Sequence, residues 1–107
     1  MLVPDSSILR VLRLLDASPR LTQRDIAREM GVSLGKANYC LRALVGKGFV
    51  NVQNFRNSTN KRGYLYLLTP EGAAAKASLT RNFLVVKRAE YDALRLELEK
   101  LQRESQS

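Results

Sequence analysis

Histidine and tryptophan are absent from this 107-residue sequence, and Cys40 is its one cysteine. Without histidine and with a single thiol there is no His/Cys set for zinc, and no disulfide can close within the chain. A lone thiol suits a reducing cytosol. Proline occurs three times and glycine six, too few for a linker or low-complexity sequence. No apolar run approaches the ~20 residues that span a bilayer, so no membrane partner is expected. The opening MLVPDSS does not read as a signal peptide. There is no glycine-rich phosphate loop and no carboxylate pair in a plausible cleft. An enzyme is therefore not expected, and neither is a cofactor or a metal.

Positive charge is what the sequence has in excess. The formal net charge is +8. Residues 1–69 hold eleven Lys and Arg against four acids, and residues 70–107 hold seven against six. The front of the chain is thus suited to a polyanion, and the tail to something else. Hydrophobic residues make up 45%, enough for one small core, and a chain this short often gains stability by dimerising.

Local signals divide the chain. Ile8, Leu12 and Leu15, with Val11 beside them, predict a helix over Asp5–Ala17 with Asp5 or Ser6 as its cap; Pro19 follows its end. In LTQRDIAREMGVS (21–33), Thr22 and Asp25 form a capping-box-like pair that starts a second helix. Ile26, Ala27 and Met30 are its apolar face, and Gly31 is its stop. Ser33 caps a third helix from Leu34 to about Lys47, ended by Gly48. Ala37, Leu41 and Leu44 point one way on that helix, with Leu34 and Val45 near them and Cys40 at the edge of the stripe. The opposite side carries Gly35, Tyr39, Arg42 and Gly46, flanked by Lys36 and Asn38.

FVNVQNF (49–55) and GYLYLLT (63–69) read as strands, joined by the basic tip RNSTNKR (56–62). TPEG (69–72) starts a long helix, with Thr69 as cap, Pro70 in the first turn and Glu71 favoured by the dipole. That helix is expected to run to about Arg103. Leu84, Tyr91, Leu94, Leu98 and Leu101 recur on it by threes and fours, with Lys87 filling one slot.

Two short helices joined by a tight glycine turn form a helix-turn-helix. Its second helix enters the major groove of DNA. A basic hairpin after it is suited to phosphates or the minor groove. Taken singly, the helix pair is compatible with proteins that never meet DNA, and the tip with a solvated loop. Together they carry one charge sign to places where one duplex could meet both. The fold class expected is mainly α with a small antiparallel β-hairpin: a winged helix-turn-helix domain over 5–69 and a C-terminal helix over 70–104, assigned to dimerisation.

The pattern LTQRDIAREMGVSLGKANYCLRALVGKGFV…NKRGYLYLLTPEG resembles the winged helix-turn-helix regulators of the MarR type. KGFVNVQNFRNS and YLYLLTPEG are most similar to a short subgroup associated with bacterial exopolysaccharide gene clusters. The resemblance implies a cytoplasmic, nucleoid-associated bacterial transcriptional regulator that binds operator DNA as a dimer. The chain departs from typical MarR proteins in lacking the extra N-terminal helix that shares their dimer interface, and it shows no effector.

The DNA-contact candidates are Ser33, Gly35, Lys36, Asn38, Tyr39 and Arg42 on the third helix and Arg56, Lys61 and Arg62 on the wing. Ser33 is a cap whose neighbourhood can hold a phosphate. Gly35 allows close approach to the groove. Arg favours guanine and Asn adenine, and Tyr39 has packing against the wing as its rival role. Cys40 reads as a small core residue rather than a redox sensor. Leu84, Tyr91, Leu94, Leu98 and Leu101 are the dimerisation candidates. Their spacing leaves parallel and antiparallel pairing open, with antiparallel preferred. The alternative to a DNA-binding homodimer is a winged-helix adaptor that binds a protein partner through the long helix.

Overall fold

The computed structural model describes residues 3–56 and 62–107, with the side chains of 54–56 and 62–63 left out. Its elements are α1 (Asp5–Ala17), α2 (Gln23–Met30), α3 (Leu34–Gly46), β1 (Val50–Arg56), β2 (Arg62–Leu68) and α4 (Pro70–Ser105). The fold is the expected one, mainly helical with one two-stranded antiparallel hairpin. The chain divides into two compact units, 1–77 and 78–107. The first unit therefore takes in the opening turns of α4.

In the first unit α1 packs on α2, α3 and β2, α2 on α3, and α3 on β1. The core is apolar throughout. Ile8, Leu9, Val11, Leu12 and Leu15 come from α1; Ile26, Ala27 and Met30 from α2; Ala37, Cys40, Leu41 and Leu44 from α3; Val50 and Tyr66 from the hairpin. Each large member adds about 1.5–3 kcal/mol by leaving water. Leu34 and Val45 differ from expectation: they are 41% and 40% exposed. They sit at the margins of the α3 stripe.

The caps explain the helix limits. At α1 the N-cap is Pro4, not Asp5 or Ser6, and no side chain caps it. Asp5 lies in the first turn, where its charge suits the dipole. At α2 the capping box closes on both sides: the Asp25 N–H donates to Thr22 Oγ1 at 3.0 Å, and the Thr22 N–H donates to Asp25 Oδ2 at 3.0 Å. Gly31 ends α2 at φ 67°, the left-handed conformation. The chain reverses after α3 through Gly48, φ 78°.

The hairpin pairs Val50 with Leu68, Val52 with Tyr66 and Arg56 with Arg62. The strands thus extend to Arg56 and Arg62, which the sequence places in the tip. Residues 57–61 lie outside the described ones. The Tyr66 N–H donates to the Pro19 carbonyl at 3.0 Å, tying the α1–α2 connection to β2.

The start of α4 is fastened at one corner. The Thr69 N–H donates to the Phe49 carbonyl at 3.0 Å, and Thr69 Oγ1 donates to the Gly48 carbonyl at 2.6 Å. The same hydroxyl accepts the Gly72 N–H at 2.9 Å, which makes it the cap of α4. Gly72 is buried, and a Cβ there would fall on the Phe49 carbonyl oxygen. Lys76 then pairs with Asp16 on α1 at 2.5 Å.

Gly72→Ala lowers stability in urea denaturation by about 1–3 kcal/mol, because backbone must move. Gly35→Ala, where an added Cβ meets nothing within 4 Å, is neutral or stabilising by about 0.5–1 kcal/mol. The Thr22 backbone N–H, then the Thr22 hydroxyl, and more weakly Arg28, hold the Asp25 carboxyl below its ordinary value of 3.8. Asp25 therefore contributes stability that is fully present above 3.8 and is lost as pH falls through the depressed value. Thermal melts of Asp25→Asn against wild type across that range should show a shallower acid limb; an unchanged limb counts against the box.

Candidate nucleic-acid interface

Helix α3 is placed by its own start and by its buried side. Ser33 Oγ accepts the Lys36 N–H at 3.1 Å, satisfying one of the free amides of the first turn. Ala37, Cys40, Leu41 and Leu44 seat the helix on the core. That seating turns Gly35, Lys36, Tyr39 and Arg42 outward, all exposed. Lys36, Tyr39 and Arg42 follow one another at three-residue spacing, so they share one strip of the helix. At 1.5 Å per residue α3 is roughly 20 Å long, and its diameter with side chains, about 10–12 Å, matches a major groove about 12 Å wide.

Cys40 is 2% exposed and belongs to the core. Among the described residues no group of three or more His, Cys, Asp or Glu side chains could hold a metal ion. No described helix is long and apolar enough to cross a membrane.

Asn38 stands apart from its neighbours. It is half-buried, and its Nδ2 donates to Gln23 Oε1 at 3.2 Å. Gln23 Nε2 in turn donates to the Tyr66 hydroxyl at 3.3 Å. A polar chain thus links α3, the start of α2 and β2. Sequence reasoning misses Gln23 and Tyr66 in this role. The one available signal is a long amide side chain directly after the α2 cap.

An open groove of about 480 Å³ runs between α3 and the hairpin. Arg42, Val45 and Gly46 line one side, Val52, Tyr64 and Tyr66 the other, and Gln23 and Asn38 lie at one end. Val45 is exposed because it borders this groove rather than the core. The Tyr64 and Tyr66 rings are 6.4 Å apart and tilted by 32°. The groove brings Arg42 to the hairpin base. Arg56 and Arg62 are opposite each other in the strand register, and Lys61 lies outside the described residues.

The description "winged helix-turn-helix DNA-binding" fits residues 4–51 by its family model. No curated protein sequence matches the chain. Several solved structures share its fold. The adhesin competence repressor AdcR of Streptococcus pyogenes is 18% identical, with TM-score 0.64 over 83% of this chain and 64% of that one. Streptococcus pneumoniae FabT, solved in complex with DNA, is 20% identical, with TM-score 0.59 over 79% of this chain and 58% of FabT. A MarR family protein of Mycobacterium tuberculosis, in complex with salicylic acid, is 26% identical, with TM-score 0.58 over 89% of this chain and 75% of that one. The chain thus spans less than two thirds of the length of AdcR and FabT.

The polar chain separates structural from surface roles. Tyr66→Phe removes one hydrogen bond and should cost about 0.5–1.5 kcal/mol in urea denaturation, and Asn38→Ala a similar amount. Arg42→Ala, on exposed helix surface, should stay within about 0.5 kcal/mol. Equal losses at Asn38 and Arg42 would show that the linkage does not hold α3.

Proposed function

The chain is a winged helix-turn-helix protein with the fold of the MarR-type regulators, and on that footing we propose that it binds operator DNA sequence-specifically as a homodimer and regulates transcription. The observation that carries this reading is the outward strip Lys36–Tyr39–Arg42 on α3, beside a groove whose far wall is the hairpin. The strip enters the major groove. Arg42 reads a base edge, Lys36 and the Ser33 region meet phosphate, and Gly35 lets the backbone approach. Tyr39 and Asn38 contribute at the margins, Asn38 chiefly by holding the helix. Arg56, Lys61 and Arg62 neutralise phosphates on the flank. FabT, a protein of the same fold, was solved with DNA, which supports the partner class. The net +7 of residues 1–69 supports an affinity built largely on released counterions.

The stripe Leu84, Tyr91, Leu94, Leu98 and Leu101 on α4 joins two copies, and pairing sets a half-site spacing near 34 Å. Exopolysaccharide genes are the proposed targets, on the resemblance of residues 47–58 and 64–72.

Titrating the protein with its own upstream DNA, competitor present, tests the reading. The logarithm of affinity should fall linearly with the logarithm of salt, by about 0.9 for each phosphate neutralised. Arg42→Ala should relax specificity at one base position, costing about 1–3 kcal/mol. Lys61→Ala with Arg62→Ala should weaken all sequences alike and lower the slope by about one for each phosphate that is no longer neutralised. Binding indifferent to salt, or no retention of the upstream fragment, would overturn the DNA-binding role and leave the protein-adaptor alternative.

A further inference from the structure

Residues 78–107 include no buried side chain, yet they carry an apolar seam interrupted at one position. Leu84, Tyr91, Leu94, Leu98 and Leu101 are between 47% and 66% exposed. Numbered as heptads, Leu84, Tyr91 and Leu98 occupy a positions, and Lys87, Leu94 and Leu101 occupy d. Val85, Val86 and Leu96 fall off this seam.

The charges beside the seam are sorted by side. The e positions are Arg88, Arg95 and Gln102, and the g positions after Phe83 are Glu90, Glu97 and Glu104. One edge of the stripe is therefore basic and the other acidic. In a parallel pair, each g residue faces the partner's e residue of the next heptad. In an antiparallel pair, g faces g and e faces e.

We propose that residues 78–107 pair with the same segment of a second copy as a parallel two-stranded coil, with orientation selected by arginine on one edge and glutamate on the other. This rests on the homodimer proposed above. Parallel pairing sets Glu90 opposite the partner's Arg95, twice by symmetry, and Glu97 opposite the partner's Gln102. The antiparallel alignment that stacks the same layers sets Leu84 on the partner's Leu101 and Tyr91 on the partner's Leu94. It then forces Glu90 against the partner's Glu97 and Arg88 against the partner's Arg95, each twice. Like charges so placed oppose association.

Lys87 falls in the seam either way: two lysines meet at one d layer in the parallel pair, and each meets the partner's Leu98 in the antiparallel one. The cost of the lysine pair is limited. Each Lys87 already holds Glu90 of its own helix at 3.1 Å, and a long side chain can carry its ammonium out to water. One strained layer against two attractive contacts outweighs four repulsive ones. The charge order thus favours parallel pairing over the antiparallel pairing preferred from the sequence. A parallel coil also brings both copies of Ser78 to one end.

Sedimentation equilibrium of the full chain, wild type against Arg95→Glu, reads the orientation by the sign of the effect. Arg95 sits on exposed helix, with only a same-helix contact to Glu99 at 3.3 Å, so the fold should survive; circular dichroism checks this. In the parallel pair Arg95→Glu turns two attractions into two repulsions and weakens the dimer roughly tenfold. Combining it with Glu90→Arg restores the dimer. In an antiparallel pair the same single change relieves the Arg88 repulsion and tightens the dimer. A second readout is Ser105→Cys under mild oxidation, with buried Cys40 of the wild type as control. Parallel pairing sets the two added thiols side by side and gives a reducible dimer. Antiparallel pairing holds them about 38 Å apart along the coil, at 1.5 Å per residue. A dimer unchanged or tightened by Arg95→Glu, or one that Ser105→Cys does not cross-link, overturns the orientation and leaves the homodimer standing. A wild-type chain that is monomeric at every concentration overturns both.

Discussion

Thr69 is where the winged unit is tied together. Its hydroxyl gives its one hydrogen to the Gly48 carbonyl and accepts the Gly72 amide, while its own amide reaches the Phe49 carbonyl. A hydroxyl can do both because it combines one donor with two lone pairs. The end of α3, the start of β1, the end of β2 and the start of α4 therefore meet within a few residues. Gly48 supplies the left-handed reversal that brings them there, and Gly72 supplies the missing Cβ that lets α4 rest on Phe49. With the hairpin base fixed to the end of α3, its inner face must run alongside that helix. The groove between them, and the company Arg42 keeps in it, is a consequence of that corner.

Folding and recognition draw on different residues. The described core of the winged unit has no buried polar or charged side chain, so its stability is built from apolar burial and its uniqueness from backbone caps. The charged side chains sit on the surface, where ion pairs such as Lys76–Asp16 and Arg28–Asp25 add little to stability. The positive excess of residues 1–69 is therefore available as a field. At 0.1 M salt that field reaches about 10 Å from the surface, far enough to orient a polyanion before any side chain touches it.

Most of the architecture was legible because its boundaries are chemically explicit. Thr22 with Asp25, Gly31, Ser33, Gly48 and the Thr69–Pro70 pair each state a local backbone requirement that no distant residue needs to supply. α1 and α3 were likewise legible through their apolar spacing. What sequence could not supply depends on who the neighbour is. Leu34 and Val45 have the right phase for the core but lie at its margins, 41% and 40% exposed, Val45 on the groove beside the hairpin. Asn38 has the chemistry of an adenine reader, yet its amide is held by Gln23, fifteen residues away in sequence. Gly72 reads as an ordinary residue of a first turn until Phe49 is found beneath it. Pro4, rather than Asp5 or Ser6, precedes α1 because helix entry there is set by backbone alone. The site was thus legible as a list of exposed polar residues on α3, but not as a division between those that face outward and the one that holds the helix in place.

The length of α4 poses a problem that the winged unit does not solve. A helix gains most of its stability from packing an apolar face, not from propensity, and residues 78–107 offer such a face with nothing buried against it inside their own unit. The proposed second copy would supply the missing packing for that stretch. The reading surface has a complementary shortage. One α3 of roughly 20 Å can meet only a few base pairs, and each mismatch costs about 1–3 kcal/mol, too little discrimination for a lone module in a genome. The proposed homodimer would answer both needs through a single contact: a second copy would cover the seam and double the number of bases read without any new reading residue. In the proposed pairing, the sorted edges of α4 then select the orientation of the two copies.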